Sequence, residues 1–342
     1  MAAYFDALYA EIREKGRKYG DRIVTSIYIG GGTPSIAYKY FPRLREAIFS
    51  SFHVAENAEI SMECNPESVT EDFILAAKAL GVNRISVGVQ SLSDPLLRRI
   101  GRAHNCNTAL SALDMLTNAF LRVNADVMVG LPEQTETDVL GTISALLEYN
   151  LSHISCYSLI LEKGTRLYHE ARKGLFAVDD DRAADMYDLV RAKLISEGYR
   201  PYEISNFARN GGECRYNLSV WEYADYLGLG LGASSFVKGE SSDAFARRYR
   251  NTRDLAKYLA GSRACVRRIT LDDAKKEFIM LGLRLEEGIS LADYRSLFGS
   301  DFLSDYAERL SKMASYLAVT SDSVSILPKY IYVSNSIISE II

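Results

Sequence analysis

The sequence predicts an α/β protein in which an open or incomplete parallel barrel is followed by a small winged-helix-like C-terminal domain. Three observations predict it. Short apolar runs alternate with helical patterns through the first half of the chain, the mark of right-handed βαβ units and a parallel sheet. Those runs are apolar on one side-chain face and small or polar on the other, whereas a closed barrel fills its interior with bulky branched residues. Beyond residue 270 the pattern changes to three helices and a hairpin.

Taken in order, MAAYFDALYAEIREKGRK reads as an amphipathic helix. Its acidic residues are foreign to signal and transit peptides, so the protein is expected in the cytoplasm. The strands are Ile23–Gly30, Glu59–Cys64, Arg84–Gln90, Arg122–Val129 and His153–Ile160. Between them Tyr38–Phe52, Thr70–Leu80, Thr108–Phe120 and Thr135–Tyr149 carry helical periodicity. Two of these helices announce their starts: Thr70-Glu71-Asp72 and Thr135-Glu136-Thr137-Asp138 each set a capping hydroxyl before acids, as an N-terminus prefers. A long helix over Asp179–Glu197 follows, then a stretch rich in Gly, Asn, Tyr and Ser that reads as loops and short strands. Leu271–Arg284, Ser290–Phe298 and Asp301–Tyr316 read as helices, and Leu317–Thr320 with Val324–Leu327 as the hairpin. The hairpin is not basic, so packing or partner contact is favoured over DNA binding.

Composition narrows the function classes. The 342 residues include 48% hydrophobic and 25% charged residues with a net charge of −4, the make-up of an ordinary globular chain of about two domains. The acidic balance argues against nucleic acid as a partner. No apolar run approaches the roughly 20 residues that a membrane span needs. The five cysteines, Cys64, Cys106, Cys156, Cys214 and Cys265, are scattered. They show neither a metal-binding spacing nor a disulfide framework, and by themselves they propose no metal site.

The parity of the strands selects candidate site residues. Ile85, Val87 and Val89 oppose Ser86, Gly88 and Gln90; Val123, Ala125 and Val127 oppose Asn124, Asp126 and Met128; Ile60, Met62 and Cys64 oppose Ser61, Glu63 and Asn65. The polar face is expected to line a wide, wet, ligand-holding cavity. Glu63, Gln90 and Asp126 fall toward the strand ends, and Arg102 follows in the Gly101-Arg102-Ala103-His104 turn. Two carboxylates, an amide and a cation without a histidine suit a polar, zwitterionic ligand with hydroxyls better than an acid–base pair. Gly30-Gly31-Gly32-Thr33-Pro34 follows the first strand, where α/β enzymes place their sites. It lacks the lysine and spacing of phosphate loops, and it reads equally as a ligand-approaching loop or a tight turn. His53, His153 and His169 have no partner spacing and read as structural or surface residues, whereas His104 sits near the mouth. Gly228, Gly230 and Gly232 alternate as at a bend or a close backbone approach.

Together IYIGGGTPS, SMECNPES, GVNRISVGVQS, GRAH, NADVMVGLPEQT, YEISNFAR and DYLGLGLGASS occur in a familiar order. The sequence resembles radical S-adenosylmethionine proteins related to oxygen-independent coproporphyrinogen III oxidase. The likeness is closest to the shorter, HemW-type haem chaperones. It covers nearly the whole chain, including RLEEGIS and the C-terminal domain.

The resemblance implies a TIM-barrel-like, incomplete parallel (β/α)6 barrel over residues 1–240 and the winged-helix-like domain over 241–342. It implies S-adenosylmethionine across the strand C-termini, with Gly31, Gly32 and Thr33 holding its methionine end. Glu63, Gln90, Arg102 and Asp126 match the family's other ligand-contacting positions, the same residues that parity selects. The family also holds a 4Fe–4S cluster on a Cys-x3-Cys-x2-Cys loop after its first strand. Three thiolates are needed for that, and the five cysteines here are not at those positions. No metal ligand is therefore assigned, the chain is expected to lack the first strand and cluster segment through truncation or a misplaced start, and reductive cleavage is not expected of it. A second departure is Tyr216-Asn217-Leu218-Ser219-Val220, where the chaperones carry His-Asn-x-x-Tyr, a motif linked to haem binding; a tyrosinate can also ligate haem iron.

The implied function is a haem chaperone of porphyrin and haem metabolism, binding S-adenosylmethionine and haem for delivery to haem-accepting proteins, with transient membrane or respiratory-protein contact. The alternatives are an oxidative decarboxylase like coproporphyrinogen oxidase, or a degenerate ligand-binding scaffold.

Overall fold

The computed structural model describes residues 1–240, 242–262 and 265–342. Its contacts group into two compact units, neither of them one continuous stretch. One comprises Met1–Thr25, Arg43–Glu56 and Cys214–Ile342; the other comprises Ser26–Pro42 and Asn57–Glu213. The division expected at residues 240 and 241 turns on Ser241, which lies outside the described residues.

The main sheet contains β1 (Ile23–Ile29), β2 (His53–Cys64), β3 (Arg84–Gln90), β4 (Arg122–Val129), β5 (His153–Ser158), β6 (Arg200–Pro201) and β7 (Asn206–Ala208), in the order β1-β2-β3-β4-β5-β7-β6. From β2 to β5 neighbours run parallel. The last two strands are antiparallel, because a short hairpin joins them and a hairpin cannot be parallel. β3 and β4 span the residues that alternation predicts, while β2 begins well before Glu59 in a polar stretch without apolar periodicity.

The apolar face of β3 and β4 is closed. Ile85, Val87, Val89, Ala125, Val127 and Val129 have no exposed surface, and the helices Cys106–Ala119 and Glu136–Leu147 pack there. Each such side chain contributes roughly 1.5–3 kcal/mol on burial. A slip of one residue would turn the whole apolar set toward the polar side, so this face pins the register. The caps read from sequence are formed: Thr70 Oγ1 accepts from Phe73 N at 3.1 Å, and Thr135 Oγ1 from Asp138 N at 3.2 Å. Register then sets the polar face, with Glu63 beside Ser86, Ser86 beside Asn124, and Asp126 beside Ser155.

The other unit carries a three-stranded sheet of β8 (Ser234–Lys238), β9 (Ala246–Arg250) and β10 (Cys265–Ile269), and a smaller one of β11 (Ile289–Ser290), β12 (Leu317–Val319) and β13 (Ser323–Ile326). The expected C-terminal hairpin is β12–β13. Helices Leu271–Gly282, Leu291–Phe298 and Ser334–Ile341 enclose a core that includes Phe278, Tyr294, Phe302 and Ile338. Glu11 of the first helix is fully buried. Its carboxylate accepts from Gly230 N, Asn251 Nδ2 and Tyr258 Oη at 2.6–2.9 Å, which gives the glycine-rich LGLGLG turn a structural partner.

Candidate functional site

The glycine loop leaves β1 at its C-terminal end, and Glu63 closes on it from β2. Tyr28 Oη donates to Glu63 Oε1 at 2.7 Å and Gly31 N donates to Oε2 at 3.1 Å. A Cβ on Gly30 would lie 2.8 Å from that same Oε1, so only glycine admits the carboxylate here. Gly31 and Gly32 have φ of +84° and +79°, and open space lies where their Cβ atoms would be. The loop therefore exposes bare backbone that a ligand can approach.

A second cluster gathers over Gly88. A Cβ there would meet Gln90 Nε2 at 3.0 Å, Arg102 Nη2 at 3.1 Å and Asn65 Oδ1 at 3.4 Å. Arg102 Nη2 donates to Asn65 Oδ1 at 2.8 Å and to Gly88 O at 3.0 Å. Its Nε is buried and unpartnered among the described residues. Gln90 ends β3 at an irregularity in the β3–β4 register, with φ +65°. A left-handed φ costs a non-glycine residue about 1 kcal/mol or more, and here it turns the amide toward Gly88.

Asp126 sits on β4, half-buried, and accepts from Asn124 Nδ2 at 2.8 Å and from Ser86 Oγ at 3.3–3.4 Å. Burial raises its pKa, and the Glu63 carboxylate adds to the rise against the hydrogen bonds and Arg84. Below it the polar face is dry. Ser61, Ser86, Asn124, His153 and Ser155 are at most 5% exposed, and Glu59 is paired with Arg122 at 2.9 Å. The expected wide, wet cavity does not extend down this face, because there the polar side chains pack against one another.

The structure brings Gly31 and Glu63 together, and likewise Gln90 and Arg102. Thr33 joins the second pair through Asn65, whose Nδ2 donates to Thr33 Oγ1 at 2.9 Å. Gly32 adds open backbone but has no partner in either cluster among the described residues. Sequence reasoning passes over Tyr28 and Asn65, although parity had set Asn65 on the face of Glu63. His104 is buried; its Nε2 donates to Val89 O at 3.1 Å, and its Nδ1 lies 3.4 Å from Glu67 Oε2. Burial lowers its pKa, so it braces the Arg102 turn as a neutral ring.

The thiols do not fit an iron–sulfur cluster. Cys64, Cys156 and Cys214 are buried, Cys106 is half-buried and Cys265 is exposed. Burial pushes the Cys156 thiol up to about 12 and the Cys64 thiol higher still, the reverse of what a thiolate ligand requires. Among the described residues no group of three potential ligands could hold a metal ion. Tyr216 and Val220 lie on one face of the short helix Arg215–Trp221, four residues apart, with Asn217 beside them.

Residues 5–146 match the model of the radical SAM superfamily, and residues 269–316 that of the HemN C-terminal domain. The heme chaperone HemW of Mycobacterium tuberculosis is 34% identical over 292 residues, 84% of this chain and 74% of that protein. That of Lactococcus lactis is 31% identical, covering 93% of this chain and 84% of that protein. The mouse mitochondrial radical S-adenosyl methionine domain-containing protein 1 is 35% identical, covering 83% and 67%. In fold the chain is similar to coproporphyrinogen III oxidase (HemN) from Escherichia coli. The TM-score is 0.81 at 22% identity, over 99% of this chain and 82% of that one. Among the described residues no helix is long and apolar enough to cross a membrane.

Proposed function

We propose that this chain, which belongs to the HemW-type haem-chaperone family of radical S-adenosylmethionine proteins, binds haem for delivery to acceptor proteins and holds S-adenosylmethionine at its strand ends. The observation that carries the second half is the convergence of Gln90, Arg102 and Asn65 over Gly88, beside a glycine loop open to a ligand. The first half is supported by the relatives named heme chaperones.

Gly31, Gly32, Thr33, Glu63, Gln90, Arg102 and Asp126 would hold S-adenosylmethionine. When bound, that molecule supplies a sulfonium-activated carbon and a zwitterionic amino-acid end. The carboxylates of Glu63 and Asp126 attract its positive groups, the guanidinium of Arg102 attracts its carboxylate, and the Gly31–Thr33 backbone admits its approach. The thiols do not fit a cluster. Haem would lie against the helix face bearing Tyr216 and Val220. No disulfide joins any of the five cysteines, as suits a reducing cytoplasm. Acceptor haem proteins, met transiently at a membrane or among respiratory proteins, are the partners. The likeness to coproporphyrinogen III oxidase is one of fold and adds no argument for decarboxylation.

Two titrations test the reading: S-adenosylmethionine by calorimetry, and haem by Soret difference spectra followed by transfer to an apo-haem protein. Saturable binding of both and transfer of the haem are expected. Absence of haem binding would overturn the chaperone half, and calorimetric silence the cofactor half.

A further inference from the structure

We propose that Asn65 is a positioning residue whose side-chain amide ties the glycine loop to Arg102, so that the two ends of the strand-end site are held at a fixed separation. The proposal rests on the S-adenosylmethionine reading above and deepens it.

One amide makes both contacts. Its Nδ2 donates to Thr33 Oγ1 at 2.9 Å, and its Oδ1 accepts from Arg102 Nη2 at 2.8 Å. Thr33 closes the loop that leaves β1, whereas Arg102 belongs to the turn that follows β3 by way of a short helix, so chain connectivity alone does not hold them together. The Arg102 side chain has one other hydrogen bond among the described residues, to the Gly88 carbonyl.

Asn65 is itself well fixed. Pro66 follows it, which restricts Asn65 to extended backbone, and it adopts φ −103° and ψ 148°. Ser68 N donates to Asn65 O at 2.9 Å, and Asn65 N donates to Ser68 Oγ at 3.3 Å. The Asn-Pro-Glu-Ser turn thus freezes the backbone from which the amide projects. An ordered amide loses little entropy in holding its two partners, and the site it spans is correspondingly preorganised.

Chemistry distinguishes the substitutions. Leucine at 65 is close in size and removes both bonds. Aspartate keeps an acceptor for Arg102, and the Thr33 hydroxyl can reverse and donate to it, so both links survive. The amino-acid end of the ligand lies at the Thr33 and Arg102 side in the proposed site. Loss of the link should therefore be felt by S-adenosylmethionine and not by 5′-methylthioadenosine, which lacks that end.

The experiment is calorimetry of both ligands with wild type, Asn65→Leu and Asn65→Asp, joined to amide hydrogen exchange of the unliganded proteins. We expect Asn65→Leu to weaken S-adenosylmethionine about tenfold, as for one charge-assisted bond lost. Methylthioadenosine should stay within about twofold and Asn65→Asp close to wild type. Exchange at Gly31–Thr33 should quicken in Asn65→Leu while β3 and β4 stay protected. Thr33→Val, which deletes the hydroxyl at a half-buried loop position, should quicken the same amides if the leucine variant does not fold. Equal weakening of both ligands, unchanged affinity, or no loop-specific change in exchange would overturn the proposal. Wild-type protein that binds neither ligand would overturn the S-adenosylmethionine reading itself, and the exchange result would then judge the link separately.

Discussion

Asn124 and His153 face each other across β4 and β5 and share a 2.6 Å hydrogen bond, from imidazole Nδ1 to amide Oδ1. Tyr202 Oη lies 2.9 Å from Nε2, so both ring nitrogens are engaged, and burial favours the neutral ring. The same asparagine donates to Asp126. A structural histidine thereby orients a residue of the candidate site through one shared amide.

That arrangement makes stability depend on pH. Burial, reinforced by Arg84 and Arg122, holds His153 well below the usual histidine range. The unfolded chain takes up the proton near pH 6.5. The contribution is therefore complete above that pH and is lost as pH falls through it, by up to about 1.4 kcal/mol per unit. Urea midpoints should fall between pH 7.5 and 5, and His153→Gln should make the fall shallower. An equally steep profile in the variant would refute this assignment.

Asp126 carries the opposite sign. Its pKa is raised in the folded protein, so the ionised form is disfavoured and stability is lost as pH rises above the unfolded value. Asp126→Asn should raise Tm at pH 7 while weakening S-adenosylmethionine. A cationic ligand would favour the carboxylate, so binding should release a proton and tighten with rising pH through the aspartate's titration. Calorimetry in buffers of differing ionisation enthalpy measures that release; none would remove Asp126 from the ligand's charge.

Two glycines make a paired test of the loop. Gly30→Ala would set a methyl 2.7 Å from Tyr28 Cε1 and 2.8 Å from Glu63 Oε1. Both are side-chain ends that can move, so the fold should survive while ligand affinity falls about tenfold through displacement of Glu63. Gly141 lies inside the helix Glu136–Leu147 with nothing within 4 Å of an added Cβ. Gly141→Ala should stabilise by up to about 1 kcal/mol and leave binding alone. Matched behaviour of the two variants would contradict the steric account.

Glu11 anchors the first helix from within. Three donors point at its buried carboxylate, and Glu11→Leu would remove the acceptor they share in a dry place. Loss of about 3 kcal/mol or more is expected in urea unfolding, and a loss under about 1 kcal/mol would mean that water reaches these groups.

Much of this was legible in the chain. The edges of β3 and β4 and the Thr70 and Thr135 caps follow from alternation and capping chemistry, which are local. The same alternation set Glu63, Gln90 and Asp126 on one face, and the motif order pointed to the family that the relatives show. The start of β2, the antiparallel β6–β7 pair and the helix Arg215–Trp221 escaped, because pairing and packing decide them and no period announces them.

By itself the sequence determined the parallel strand–helix order, the polar face and the scattered thiols, since each depends on neighbours along the chain. Only the tertiary structure decided what that face became. Side chains from β2 to β5 satisfy one another low in the sheet. It also brought Thr33, Asn65, Gly88 and Arg102 to one point. Those contacts join segments with no common periodicity, and only the register held by the buried apolar face brings them within hydrogen-bonding distance.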